Sequence, residues 1–210
     1  MACLCLLGPP GCGKTTQVLR LRDAPWPRPP VVASVPRLLR EEAGLIAWLS
    51  PSERSALRKW RGEAECARRR GELAPLAVDA LLLTALGRID NPLVLLDGFP
   101  RSLPAARLLA MSGVDVRRCG LVVLTVPPTD IGLSLSRQLL RARLRGQDDK
   151  AGEHQRMARK LQVYLEETVP AVTYLASVGS PLRPVDARWS EEQAYAHCLQ
   201  EARRVCGQRP

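Results

Sequence analysis

Gly8-Pro9-Pro10-Gly11-Cys12-Gly13-Lys14-Thr15 is the stretch on which the reading of this chain turns. It fits G-x-x-x-x-G-K-[ST], and its surroundings matter as much as its letters. The apolar run Ala2–Leu7 ahead of it has the length of a buried strand, and Thr15–Arg22 behind it reads as a helix. Glycines between a strand and a helix let backbone N–H groups turn inward. The helix N-terminus adds partial positive charge, so the segment forms a cradle for phosphate. Lys14 is placed to reach the β- and γ-phosphates of a nucleotide, and the Thr15 or Thr16 hydroxyl to approach Mg2+. The motif alone leaves the reaction open.

Working outward, Leu93–Leu96 is a fully apolar strand stopped by Asp97-Gly98, and Leu121–Val126 is another. Val31–Ser34 and Arg183–Val185 are shorter candidates. Helices are expected over Ala77–Leu86, Leu103–Met111, Ile131–Arg145, Gln155–Thr168 and Glu191–Val205, the fourth ending near Thr168-Val169-Pro170. Arg37–Arg70 reads as mostly helical with a break near Ser50-Pro51, and the four prolines of Asp23–Pro30 make that stretch a loop. Short apolar strands alternating with helices predict an α/β fold, a parallel sheet flanked by helices on both faces. Ligands of such sheets bind beyond the carboxyl ends of the strands. Asp97 sits at one of those ends, where an acid holds Mg2+ through water, and Arg101 follows it into the same cleft. Arg137 and Arg141 are four apart on one predicted helix and Arg145 continues the face, just before Asp148-Asp149. That face reads either as a solvated surface or as a phosphate clamp.

The formal net charge is +10, and only four of the 31 basic residues are lysines (Lys14, Lys59, Lys150, Lys160). Arginine in such excess suits phosphate, which it grips with a planar fork. It also suits nucleic acid, or a biased coding composition, and composition does not separate the three. With 4% aromatic residues the chain lacks the stacking platforms that single-stranded bases require. Of seven cysteines none form a C-x-x-C pair, and the two histidines are far apart, which argues against zinc. No apolar run approaches the ~20 residues of a membrane helix. MACLCLLG has no basic flank or cleavage site, so a reduced, cytoplasmic, monomeric protein is expected, without a nucleic-acid or membrane partner.

Taken in order, LLGPPGCGKTTQ (Leu6–Gln17), SVPRLLRE (Ser34–Glu41), RGELAP (Arg70–Pro75), LLDGFPRS (Leu95–Ser102), LTVPP (Leu124–Pro128), RGQDD (Arg145–Asp149) and LQVYLEETVPAVTYL (Leu161–Leu175) resemble the adenylate kinase family of nucleoside monophosphate kinases. The resemblance spans nearly the whole chain. It implies a P-loop NTPase fold in one domain, residues 1–210, with a helical monophosphate-binding insertion at about 34–76 and a short lid at about 142–152. It implies ATP and Mg2+, with Gly8, Gly11, Cys12, Gly13, Lys14, Thr15 and Thr16 around the ATP phosphates and Thr15 and Asp97 on the metal side. Ser34, Arg40, Arg101, Arg145 and Lys160 would hold the acceptor monophosphate. Arg137 would lie against the ATP base and Arg141 on its phosphates. Asp148 and Asp149 correspond to an acidic pair of the lid, and the arginine before L-x-x-Y falls on Lys160, beside Arg159. The residues it assigns to the chemistry itself are Lys14, Asp97, Arg101, Arg137 and Arg141.

The chain departs from the family pattern at defined places. Val35, Pro36 and Arg37 replace a hydroxyl, a glycine and an acid, and Ala105 replaces a glutamine that reads the adenine edge. The lid reads R-G-Q-D-D in place of G-R-x-D-D, with Arg145 or Arg143 standing in for the lost arginine. Gly44–Arg54, with Trp48, is an insertion. The function expected is reversible transfer of the ATP γ-phosphate to a nucleoside monophosphate, AMP first. The alternatives are an inactive nucleotide-binding or scaffold module that keeps the fold, and a basic nucleic-acid-binding protein.

Overall fold

The computed structural model describes residues 2–126, 136 and 150–207. Five strands form one sheet in the order β2-β3-β1-β4-β5, all parallel: β1 (Ala2–Leu7), β2 (Val31–Ala33), β3 (Leu93–Asp97), β4 (Cys119–Thr125) and β5 (Leu182–Asp186). β1 has no exposed residue because both of its faces are covered. Cys3, Cys5 and Leu7 point into one apolar cluster, with Val94, Leu96, Leu121 and the helices that follow β2 and β3. Leu4 and Leu6 point into the other, with Leu95, Val122 and Leu124. That double burial is why the strands read as unbroken apolar runs rather than alternating ones.

Among the described residues the α-helices are α1 (Lys14–Arg22), α2 (Val35–Leu39), α3 (Ala43–Ile46), α4 (Pro51–Arg70), α5 (Leu76–Arg88), α6 (Leu103–Met111), α7 (Lys150–Val163), α8 (Val169–Ser177) and α9 (Glu191–Val205). Their starts are written in the sequence. Ser50 accepts from the Glu53 N–H while the Glu53 carboxylate accepts from the Ser50 N–H, a reciprocal cap that turns the expected break at Ser50-Pro51 into the first turn of α4. Ser190 and Gln193 do the same for α9. The 44–54 segment is built into the core: Leu45 and Leu49 are buried, and the Trp48 carbonyl accepts from Arg88. Replacing Ser50 by Ala removes one cap bond and is expected to cost about 1 kcal/mol. A thermal melt shows it as a fall of a few degrees in Tm with unchanged cooperativity.

Both ends of one helix differ from expectation: it starts at Lys150, ahead of the expected Gln155. The helix expected to end near Thr168-Val169-Pro170 runs on to Ser177 through a wider π turn at Tyr164–Thr168. Pro170 has no N–H, and its ring crowds the carbonyl four residues back. The wide turn takes up that misfit without ending the helix. It also aims the Thr168 hydroxyl at the Arg101 carbonyl, 2.9 Å away.

Candidate active site

The phosphate loop is shaped by its glycines. Gly8 has φ +141°, and a Cβ there would lie 2.4 Å from the Leu124 carbonyl oxygen and 2.9 Å from Cys12 Sγ, so no side chain fits. Lys14, the first residue of α1, folds its Nζ back to donate to the carbonyls of Gly8 at 2.8 Å and Pro9 at 2.7 Å, with Cys12 Sγ at 3.3 Å. The ammonium is thereby held over the loop. Cys12 is only 3% exposed and packs with Leu4, Leu6 and Val18, so its side chain supports the loop from beneath.

The parallel pairing of β1 and β3 sets Leu6 opposite Asp97, and the Gly98 N–H donates to the Leu6 carbonyl at 3.0 Å. The end of β3 therefore lies beside the loop. Thr15 Oγ1 donates to Asp97 Oδ2 at 2.8 Å. Four residues on from Asp97, Arg101 Nε donates to the Gly98 carbonyl at 2.7 Å, and the Arg101 carbonyl accepts from Thr168. The guanidinium is thus fixed at both ends of its residue.

Lys14, Thr15, Gly98, Arg101 and Thr168 open onto one cleft of about 1050 Å³, with Asp97 bonded to Thr15 at its edge. Gly8, Gly11, Gly13, Lys14 and Thr15 form its floor on the loop side, and Arg40, Arg101 and Lys160 line it as well. Arg40 is bonded to Glu42 through Nη2 at 2.9 Å and Nε at 3.3 Å. Thr16 lines a second hollow of about 230 Å³ with Gly11, Cys12, Gly13 and Trp189. Ser34 is not on the cleft wall: it is buried, and its hydroxyl caps α2 by accepting from the Arg37 N–H at 3.3 Å. Arg137, Arg141, Arg145, Asp148 and Asp149 lie outside the described residues.

Sequence reasoning missed the wall that α4 provides. Arg61, Glu65 and Arg68 all line the cleft, as do Glu72 and Leu73 beyond the helix. Arg68 holds Glu65 at 2.5 Å, and Arg61 and Arg58 both bond Glu41. Glu41 follows Arg40 directly and has φ +53°, a left-handed conformation that a non-glycine residue rarely takes. The spacing of 61, 65 and 68 is a helical face, but arginines at 54, 58, 69 and 70 surround it, so no single face stands out in the sequence. Outside the cleft, arginine charge goes largely to surface ion pairs such as Arg20 with Glu192 at 2.7 Å and Arg88 with Glu53 at 2.6 Å. Such exposed pairs add little stability each.

Lys160 and Tyr164, both on the cleft, have titrations displaced by burial. Burial, reinforced by the nearby Arg156, lowers Lys160 to about 8. Burial raises the Tyr164 hydroxyl. No described helix is long and apolar enough to cross a membrane.

No family model matches the chain. Individual relatives do. It is 32% identical over 192 residues to the adenylate kinase of Thermus thermophilus, covering 90% of this chain and 91% of that one. It is 31% identical to the adenylate kinase of Parvibaculum lavamentivorans, over 90% of this chain and 86% of the relative. It is 31% identical to that of Corynebacterium diphtheriae, over 93% and 96%. Likeness on this scale reaches far past the phosphate loop, over nine tenths of the chain, and makes this chain a member of the adenylate kinase family of phosphotransferases.

Proposed function

We propose that the cleft transfers the γ-phosphoryl group of ATP to the phosphate of a nucleoside monophosphate, reversibly, giving two diphosphates. AMP is the first acceptor to test, after the name the relatives carry. The observation that carries this reading is the convergence of Lys14, Thr15, Arg101 and Arg40 on one cleft, with Asp97 held against Thr15. An acceptor phosphate is already ionised at neutral pH, so its attack needs no general base, and catalysis rests on positioning and charge neutralisation. An alcohol acceptor would call for a free carboxylate against the hydroxyl. Asp97 instead accepts the Thr15 proton.

In this reading Gly8, Gly11, Gly13 and Lys14 hold the ATP phosphates, and Arg40 and Arg101 hold the acceptor phosphate. A hydroxyl and a carboxylate in contact beside the phosphate loop are hard oxygen donors of the kind Mg2+ takes. Thr15 and Asp97 would therefore hold the metal, which would supply charge neutralisation at the nucleotide phosphates. The residues around 34–76 form the acceptor arm, Arg137 and Arg141 complete the ATP side, Arg145 joins the acceptor side, and the protein acts as a cytoplasmic monomer. An ADP-formation assay over AMP, CMP, UMP and dAMP tests the whole reading. Folded protein that binds ATP but turns over none of them would overturn it in favour of a nucleotide-binding module without transfer.

Lys160 adds a pH signature. A lysine lowered to about 8 is charged below that pH and loses its charge above it. Its hold on phosphate is present at pH 7 and falls to about a tenth of the molecules at pH 9. Arginine stays charged throughout. The expected outcome is an alkaline fall in kcat/KM centred near pH 8 in the wild type and a flat profile over pH 7–9.5 in Lys160→Arg. Coincident profiles would remove Lys160 from the phosphate site.

A further inference from the structure

The turn that leaves α2 holds a residue that its backbone does not favour. Arg40 caps the end of the helix. The Glu41 N–H donates to the Leu38 carbonyl at 2.9 Å, and the Glu42 N–H to the Arg37 carbonyl at 3.2 Å. That pair of bonds is the Schellman ending, whose reversing residue is left-handed and ordinarily glycine. Here it is Glu41, at φ +53°, the one non-glycine residue with positive φ among the described residues. A Cβ in that conformation is strained, and the strain persists only where the surroundings fix it. Glycine would make the same turn without strain, so the reason for a glutamate lies in its side chain.

That side chain is gripped twice from α4. Its carboxylate accepts from Arg58 Nε at 3.2 Å and Arg58 Nη2 at 3.0 Å, and also from Arg61. The Arg58 guanidinium holds the carboxyl below the usual carboxylate range, so the clasp is charged at neutral pH. Both arginines are largely exposed, and such pairs add little stability. Their effect is to tie the end of α2 to α4, and Arg40 stands immediately before the tie. Arg40 lines the cleft with a largely exposed side chain. On its other side Glu42 Oε1 accepts from Arg40 Nη2 at 2.9 Å and Nε at 3.3 Å. That contact engages one edge of the guanidinium and leaves its other N–H donors for a ligand. Glu41 thus fixes the backbone beside Arg40, and Glu42 orients the guanidinium.

We propose that Glu41 is a positioning residue for the acceptor: gripped by Arg58 and Arg61, it locks the turn that presents Arg40 to the acceptor phosphate. The inference rests on the monophosphate-kinase reading and deepens its acceptor site. A guanidinium set in place before the ligand arrives has less freedom to lose on binding. Releasing the turn therefore weakens the hold on the acceptor and leaves the ATP side as it was. Arg61 itself lines the cleft, whereas Arg58 is not one of the lining residues, so Arg58 reaches the acceptor only through Glu41.

The test is steady-state kinetics with AMP varied at fixed ATP, alongside equilibrium binding of AMP. The variants are Glu41→Gly, Arg58→Met, Arg40→Ala and the two doubles that add Arg40→Ala. Glu41→Gly removes the carboxylate and the backbone strain together, so it should melt near the wild-type temperature. A weaker acceptor in a variant with an unchanged melt is a loss of position, not of fold. Glu41→Gly should raise KM for AMP about tenfold and Arg58→Met about threefold or more, with KM for ATP unchanged. On an Arg40→Ala background either change should alter kcat/KM for AMP by less than about twofold, because the group it positions is gone. Losses that multiply in the double variants, or a normal KM for AMP in folded Glu41→Gly, would overturn the proposal and leave the transfer reading standing. The same coupling read in AMP affinity, in a chain that transfers no phosphate, would sink the transfer reading and sustain this one.

Discussion

Replacing Lys14 by Ala is expected to lower kcat/KM for ATP by about 100- to 1000-fold while leaving the fold intact. The ammonium is oriented by three acceptors, the Gly8 and Pro9 carbonyls and Cys12 Sγ, all from its own loop. It is therefore positioned before any nucleotide arrives, and no reorganisation is needed as charge builds on the transferred group. Losing one preorganised cation of this kind removes several kcal/mol of transition-state stabilisation, with about 1.4 kcal/mol per factor of ten. Lys14→Arg should not rescue. A planar guanidinium is a fork, not a point charge, and the loop above Gly8 has no space to spare. The loss should appear in kcat and in KM for ATP, with KM for the acceptor little changed. A drop of less than tenfold in steady-state ADP formation would remove Lys14 from the chemistry.

The parts of this site legible in the sequence are those built from contiguous residues. The loop from Gly8 to Thr15 carries its own strand and helix on either side, and LLDGFPRS carries Asp97 and Arg101 within five residues. Parallel pairing then needs only to bring two strand ends together, which Leu6 opposite Asp97 achieves. What was not legible depends on tertiary approach. Arg61 and Arg68 become cleft residues because Gly71, at the end of α4, packs against Arg156 and Lys160 of α7, and nothing local to α4 signals that contact. Ser34 was placed by motif position at the acceptor, but a serine ahead of Val35-Pro36 has a local use as a helix cap, and the structure puts it to that use. The continuation past Pro170 was hidden because a proline ordinarily marks a helix end, and only the wide turn before it lets the chain go on.

Arg101 gives the second large effect, on the opposite substrate. Arg101→Ala is expected to lower kcat/KM for the acceptor monophosphate by about 100- to 1000-fold, raising acceptor KM and lowering kcat while KM for ATP stays near the wild-type value. Lys at this position keeps charge but loses the two-pronged grip on phosphate, so Arg101→Lys should recover only part of the loss. The backbone supplies an independent test that leaves the guanidinium in place. Gly98 has φ +66°, and a Cβ there would lie 2.6 Å from Arg101 Nη2 and 3.1 Å from Nε. Gly98→Ala therefore forces the guanidinium away and strains the turn, while Nε gives up its bond to the Gly98 carbonyl. If Arg101 works by its position, Gly98→Ala must raise acceptor KM by tenfold or more with the arginine still present. Steady-state kinetics at varied acceptor and fixed ATP decide it: a normal acceptor KM in a folded Gly98→Ala variant would mean that the geometry fixed by Gly98 and Thr168 is not what holds the acceptor phosphate.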